Sequence, residues 1–117
     1  MIWNSNHKQD RRILEVIQDV EDELEILEAW KSRITQIVKF PFMAEIVEFQ
    51  EFRSIVQQGD RLKVHSVDSI DEKYGIIVHT RLGREKIYFP LCDLEAIDLN
   101  DEGRQVIDDY AVWFANR

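Results

Sequence analysis

At 117 residues the chain fits one domain, long enough to bury a core without disulfides or a structural metal. Its 44% hydrophobic and 10% aromatic content excludes a disordered tail, and four Gly and two Pro leave little for long linkers. A formal charge of −8 repels phosphate backbones, which excludes nucleic acid as the natural partner and favours cations or basic protein surfaces.

Met1–Lys8 has no clear period and reads as a loosely docked leader, with Trp3 as its one anchor. From Gln9 to Val38 the apolar residues Ile13, Ile17, Val20, Leu24, Leu27, Ile34 and Val38 recur at helical spacing, widened by Leu14 and Trp30. Lys31 and Ser32 interrupt the register, so the segment is one long acidic helix or a helix pair broken near residues 28–33. The same stripe suits a partner helix, which leaves homo-oligomerisation through this segment open. Glu15, Asp19, Glu21, Asp22, Glu23, Glu25 and Glu28 follow one another with no Lys or Arg among them. Asp19, Asp22 and Glu23 share a helix face, where like charges repel by a few tenths of a kcal/mol per pair, about 0.2–0.5. Such a face is either simply solvated or relieved by binding a cation.

Lys39–Ala44 is the corner of the chain. Pro41 cannot continue a helix and biases Phe40 away from helical geometry, while Phe40 and Phe42 pin the junction into a core. Beyond it the period changes. Glu45–Phe49 reads as a first strand, Gln58–Asp60 as a turn, and Leu62–Val67 as a second strand. Asp68–Lys73 is a polar loop, Tyr74–Thr80 a buried strand, and Arg81–Arg84 a hairpin turn. Glu85–Phe89 is the return strand, stopped by Pro90, and Leu91–Ile97 holds a tight turn and a last short strand. Gly103–Asn116 returns to helical spacing, with Val106, Tyr110 and Trp113 on one face and acceptors at Asn100, Asp101 and Glu102 before it. The expected fold is α+β. It comprises an acidic helical segment at 1–38, a Phe-Pro-Phe hinge at 39–44, a small SH3- or Tudor-like five-stranded β-barrel at 45–98 and a C-terminal helix at 99–117.

Few constellations carry chemistry. Cys92 is the only cysteine; it permits no internal disulfide, has no local base to activate it, and reads as a structural thiol in a reducing compartment. His7, His65 and His79 lack zinc spacing. No catalytic triad, redox pair or phosphate loop can be assembled, so the chain reads as non-enzymatic. Trp30, Trp113, Phe40 and Phe42 read as core rather than as a methyl-lysine cage. Asp98–Gly103 with Asp109 partly fits an EF-hand loop, but Gln105 stands where an aliphatic belongs and the shorter Asp109 where a Glu belongs. A helix-capping loop is the better reading. Met1–Asp10 is polar and no run approaches the roughly 18 apolar residues of a membrane span, so a soluble cytoplasmic protein without a membrane partner is expected.

Taken together, the segments resemble the CcbP-like family, small acidic calcium-binding proteins first associated with cyanobacteria. Ile17–Glu25 is similar to that family's acidic helical stretch, with carboxylates at Asp19, Asp22, Glu23 and Glu25. Trp30 precedes Phe40-Pro41-Phe42-Met43-Ala44 at the family's spacing, and Gly59-Asp60, Pro90-Leu91 and Ile107–Tyr110 with Trp113 resemble its later motifs. The resemblance spans about residues 13–116. It departs at Thr35 and Gln36, where family members can carry carboxylates, and at Val20. It implies a non-enzymatic Ca²⁺ buffer or sensor with Asp19, Asp22, Glu23 and Glu25 as ligands. Asp98 and Asp101 join them if the C-terminal loop folds back onto the first helix. The rival expectation is a metal-free interaction module that binds a basic protein or peptide.

Overall fold

A computed structural model describes residues 3–117; Met1 and Ile2 of the expected leader lie outside the described residues. Two helices open the chain, α1 (Lys8–Ile17) and α2 (Glu23–Ile37). Strands β1 (Phe42–Ile46), β2 (Arg61–Asp71), β3 (Gly75–Leu82) and β4 (Glu85–Pro90) follow. A 3₁₀ turn at Leu91–Asp93 leads into β5 (Leu94–Ala96), and α3 (Asp101–Asn116) closes the chain.

The helical segment is a pair, but it breaks earlier than Lys31 and Ser32 suggested. Asp19 adopts a left-handed φ of 65°, and Asp22 starts α2 by accepting a hydrogen bond on Oδ1 from the Glu25 amide at 3.1 Å. Lys31 and Ser32 lie within the uninterrupted α2, because Leu27, Trp30 and Ile34 bury one continuous face and override the weak propensities beside them. Of the stripe expected to suit a partner helix, Ile13, Leu27, Trp30, Ile34 and Val38 are buried in the chain's own core, Leu14, Ile17 and Val20 are half-buried, and Leu24 is exposed. Trp3 packs half-buried against the same core.

The Phe-Pro-Phe corner turns the chain between α2 and β1 as its sequence requires. The Phe40–Pro41 bond is cis and the Phe40 and Phe42 rings lie 5.6 Å apart. Phe42, Ala44 and Ile46 alternate inward, so β1 begins at Phe42 and leaves Val47 and Phe49 exposed, three residues earlier than the Glu45 start expected. The expected polar loop at Asp68–Lys73 is mostly strand. β2 continues to Asp71, whose Oδ1 then accepts from the amides of Lys73 and Tyr74, each at 2.8 Å, to make the turn.

The expected SH3- or Tudor-like barrel is not formed. The five strands make one open antiparallel sheet in the order β4-β3-β2-β1-β5. Strand number follows from local alternation, whereas closure needs two edges able to pair. Here one edge is the three-residue β5, and the other ends at Pro90, which has no amide hydrogen to donate. Two register shifts in β2, between Val64 and Ser66 and between Val67 and Ser69, bend the sheet without closing it. Helices α2 and α3 cover it instead. Trp30 meets Tyr110 edge-on at 5.8 Å and Trp113 at 6.1 Å, and Phe114 adjoins Tyr110 at 5.8 Å.

Gly75 shows how tightly α3 is bolted to the sheet. It has a φ of +75°, and any Cβ there would come within 2.6 Å of Phe114 Cε1 and run into the Tyr110 hydroxyl. The next residue, Ile76, donates its amide to that hydroxyl at 2.8 Å. Burial pushes the Tyr110 phenol above its ordinary range and keeps it neutral.

Candidate metal centre

The carboxylates gather where α1 ends and α2 begins. The left-handed residue at Asp19 is tolerable because a short polar side chain suits that conformation, and it turns the chain sharply into α2. Asp22 caps the helix, and Glu23 and Glu25 occupy its first turn, where the positive end of the helix dipole favours anions. Part of this acidity therefore serves the helix start. A cavity of about 350 Å³ opens beside it, lined by Asp22, Glu23, Leu24, Leu27 and Glu72. Glu72 comes from the tip of the β2–β3 hairpin, a residue that sequence reasoning placed in a polar loop and did not assign to the site. The sequence showed only that Asp68, Asp71 and Glu72 lie close together along the chain, not what they face.

Arg117 enters this neighbourhood too. Its guanidinium pairs with Glu23 Oε1 and donates to the Lys73 carbonyl at 3.1 Å, while lying 3.9 Å from the Phe114 ring centre. No other acid between Glu15 and Glu28 has an ion-pair partner among the described residues.

Asp98 and Asp101 are placed elsewhere. Asp98 Oδ1 accepts from the Met43 amide at 2.8 Å, fastening the loop after β5 to the start of β1. Asn100 caps α3 by accepting from Gly103 at 2.8 Å, and Asp101 stands in the first turn of that helix. Asp101 does share a cavity of about 590 Å³ with Arg12 of α1, but Asp19, Asp22, Glu23 and Glu25 do not line it. The EF-hand spacing fails in space as in sequence. Asp109, at the last loop position, is only 3% exposed. Its two oxygens are held by Arg12 at 2.7 and 3.1 Å, and Gln9 adds a bond at 3.1 Å.

In kind, the donors around Asp22, Glu23 and Glu72 suit a hard cation, since all are carboxylate oxygens and nothing soft stands among them. In position, no three His, Cys, Asp or Glu side chains converge closely enough to hold a metal ion among the described residues. The chemistry fits calcium, and a full shell would need carboxylate movement and water.

The remaining reactive groups are quiet. Burial first, then the charge of Asp93, pushes the Cys92 thiol up to about 12, so it stays protonated near neutrality. The His65 and His79 rings stack at 5.3 Å on neighbouring strands, without a third ligand beside them among the described residues. No helix among the described residues is long and apolar enough to cross a membrane.

Comparison with known proteins places these features in a family. The CcbP family model, described as calcium binding, matches residues 10–114. The crystal structure of Anabaena CcbP is similar over 92% of this chain and 89% of its own, with 27% identity and a TM-score of 0.74. A structure described as a calcium binding protein in the calcium-binding form shares the fold at 24% identity, covering 97% of this chain and 92% of its own with a TM-score of 0.75. No curated protein matches the chain. With nearly its whole length matched, the chain belongs to the CcbP family of calcium-binding proteins.

Proposed function

We propose that this chain binds Ca²⁺ through the carboxylates at the start of α2, acting as a calcium buffer or sensor. Asp19, Asp22, Glu23 and Glu25 are the ligands assigned from the acidic stretch, and Glu72 joins them from the hairpin tip. The observation that carries the reading is a run of acids of which only Glu23 has an internal cation, with Asp22 and Glu23 lining a cavity that Glu72 shares from a second chain segment. Calcium takes about six to eight oxygens and accepts water among them, so an incomplete protein shell on an exposed surface is no obstacle. Binding would relieve the like-charge repulsion along the turn and stabilise the fold by mass action.

The substitutions at Thr35 and Gln36 bear on where the ion goes. The Thr35 hydroxyl donates to the carbonyls of Lys31 at 2.7 Å and Ser32 at 3.0 Å and offers no charge. That leaves the α2 start as the main site. Asp98 and Asp101 would serve only a separate and weaker one, since they share no cavity with the α2 carboxylates. The exposed acids from Glu21 to Glu28 also favour a second role, docking a basic partner by charge complementarity.

The test is calcium titration calorimetry on chelator-stripped protein, with magnesium as control. Saturable micromolar or tighter binding, abolished in the Asp19→Asn, Asp22→Asn double variant, is the expected result. Unchanged affinity in that variant overturns the assignment. A melting temperature that ignores millimolar calcium would transfer the weight to the basic-partner role.

A further inference from the structure

We propose that the groove between β4 and the loop joining β1 to β2 is a docking site for an extended, acidic and apolar segment of a partner protein. The loop over residues 47–60 holds out Phe49, Phe52 and Ile55, which are 81%, 93% and 72% exposed. Single exposed apolar residues are ordinary, but three within one loop are unusual, and Ile55 among them lines the groove. The loop is built to hold them there. Val56 is anchored in the core, Gln57 Nε2 donates to the carbonyls of Glu51 and Ser54, and the Gly59 amide donates to the Ile46 carbonyl.

Beside the loop lies a groove of about 590 Å³, whose floor and walls include Ile55, Tyr74, Ile77, Tyr88 and Phe89. β4 is the outer strand on this side of the sheet, so its far edge, up to Pro90, is open to an added strand. A strand laid there would send alternate side chains into the groove and the others outward.

Charge decides which strand. The chain carries −8 overall, yet the groove is lined by a single charged residue, the cation Lys86, and by no Asp or Glu. The Lys86 ammonium stands 5.4 Å from the Tyr88 ring centre, and the Lys73 ammonium 5.2 Å from that of Tyr74. Both exposed tyrosines of the groove therefore carry a lysine. A segment alternating aliphatic residues with Asp or Glu complements this surface, whereas a basic one is drawn to the acids of α2. Two lysines are too few to hold an anionic membrane, at about 1 kcal/mol each.

The experiment is a titration of the isotopically labelled protein with an alternating Leu/Glu peptide of about ten residues, followed by amide chemical shifts. A peptide of the same apolar pattern carrying Lys serves as control. Saturable shifts at Ser54–Val56, Ile77 and Lys86–Phe89, with the Glu peptide bound about fivefold more tightly, are expected for one or two exposed charge pairs. Lys86→Glu should reverse the preference. Ile55→Ser, at a solvent-facing position that leaves the core intact, should weaken both peptides. Equal binding of the two peptides, shifts confined to other surfaces, or binding unaffected by either variant overturns the proposal. Shifts at these residues that arise from self-association, or from anionic vesicles but not from peptide, overturn it as well. The calcium site plays no part in these readouts.

Discussion

Two sets of carboxylates, a short distance apart in the chain's logic, have opposite fates. Asp109 is buried on α3 and receives a guanidinium and an amide from α1, so its charge is answered inside the molecule. Asp19, Asp22 and Glu25 sit on the surface at the α1–α2 turn with no lysine or arginine paired to them among the described residues. A carboxylate that brings its own cation becomes part of the framework. Carboxylates without one keep their charge for something that arrives from solution.

Removing the internal pair is the most damaging way to break this contrast. Asp109→Ala strands Arg12, and because about a third of the Arg12 side chain reaches water the expected loss is about 2–3 kcal/mol, at the lower end for a buried pair. Urea unfolding measures it, and calcium affinity should not change. Gly75→Ala asks whether the framework also positions the exposed acids. The left-handed backbone and the collision with Phe114 should cost about 2–3 kcal/mol by thermal unfolding. Calcium affinity should fall with it, because Glu72 stands on the same hairpin.

Arg117→Ala works in the opposite sense. It frees Glu23 from its ion-pair partner, and calorimetry should show calcium binding about two- to threefold tighter, in line with an exposed pair of up to about 1 kcal/mol. The smallest effect belongs to His79. Burial, followed by the charges of Lys86, His65 and Arg81, holds its pKa below the ordinary histidine value. The unfolded chain then takes up a proton that the folded chain resists, so stability should decline as pH falls below about 6.5. His79→Gln should flatten that decline in urea unfolding curves recorded from pH 7.5 to 5.

How much of this was legible in the sequence depended on distance along the chain. Pro41 between two phenylalanines set the corner, and Val106, Tyr110 and Trp113 set the buried face of α3, because both are local patterns. The helix break was legible but misread, since Asp22 followed by Glu25 is a capping pair that outweighs a single serine inside a helix. Asp109 was legible but misread as the last position of an EF-hand spacing. It lies on the apolar face between Val106 and Trp113, where a charge requires a partner. Sheet closure was not legible, because it depends on whether two distant edges meet, and β5 is too short to offer one. Nor was Glu72, which reaches the α2 carboxylates only after the hairpin is folded and fastened to α3.

The aromatic cluster of Trp30, Tyr110 and Trp113 also gives the molecule an optical signal. Trp30 rides on α2, the helix whose first turn carries the carboxylates, and its ring lies 6.1 Å from that of Trp113 and 5.8 Å from that of Tyr110 on α3. At such spacing a tyrosine or tryptophan excited by ultraviolet light shares its energy with its neighbours. A slight tilt of α2 would alter the emission of the whole group, so a calcium titration followed label-free by the core's own fluorescence asks whether the ion moves that helix.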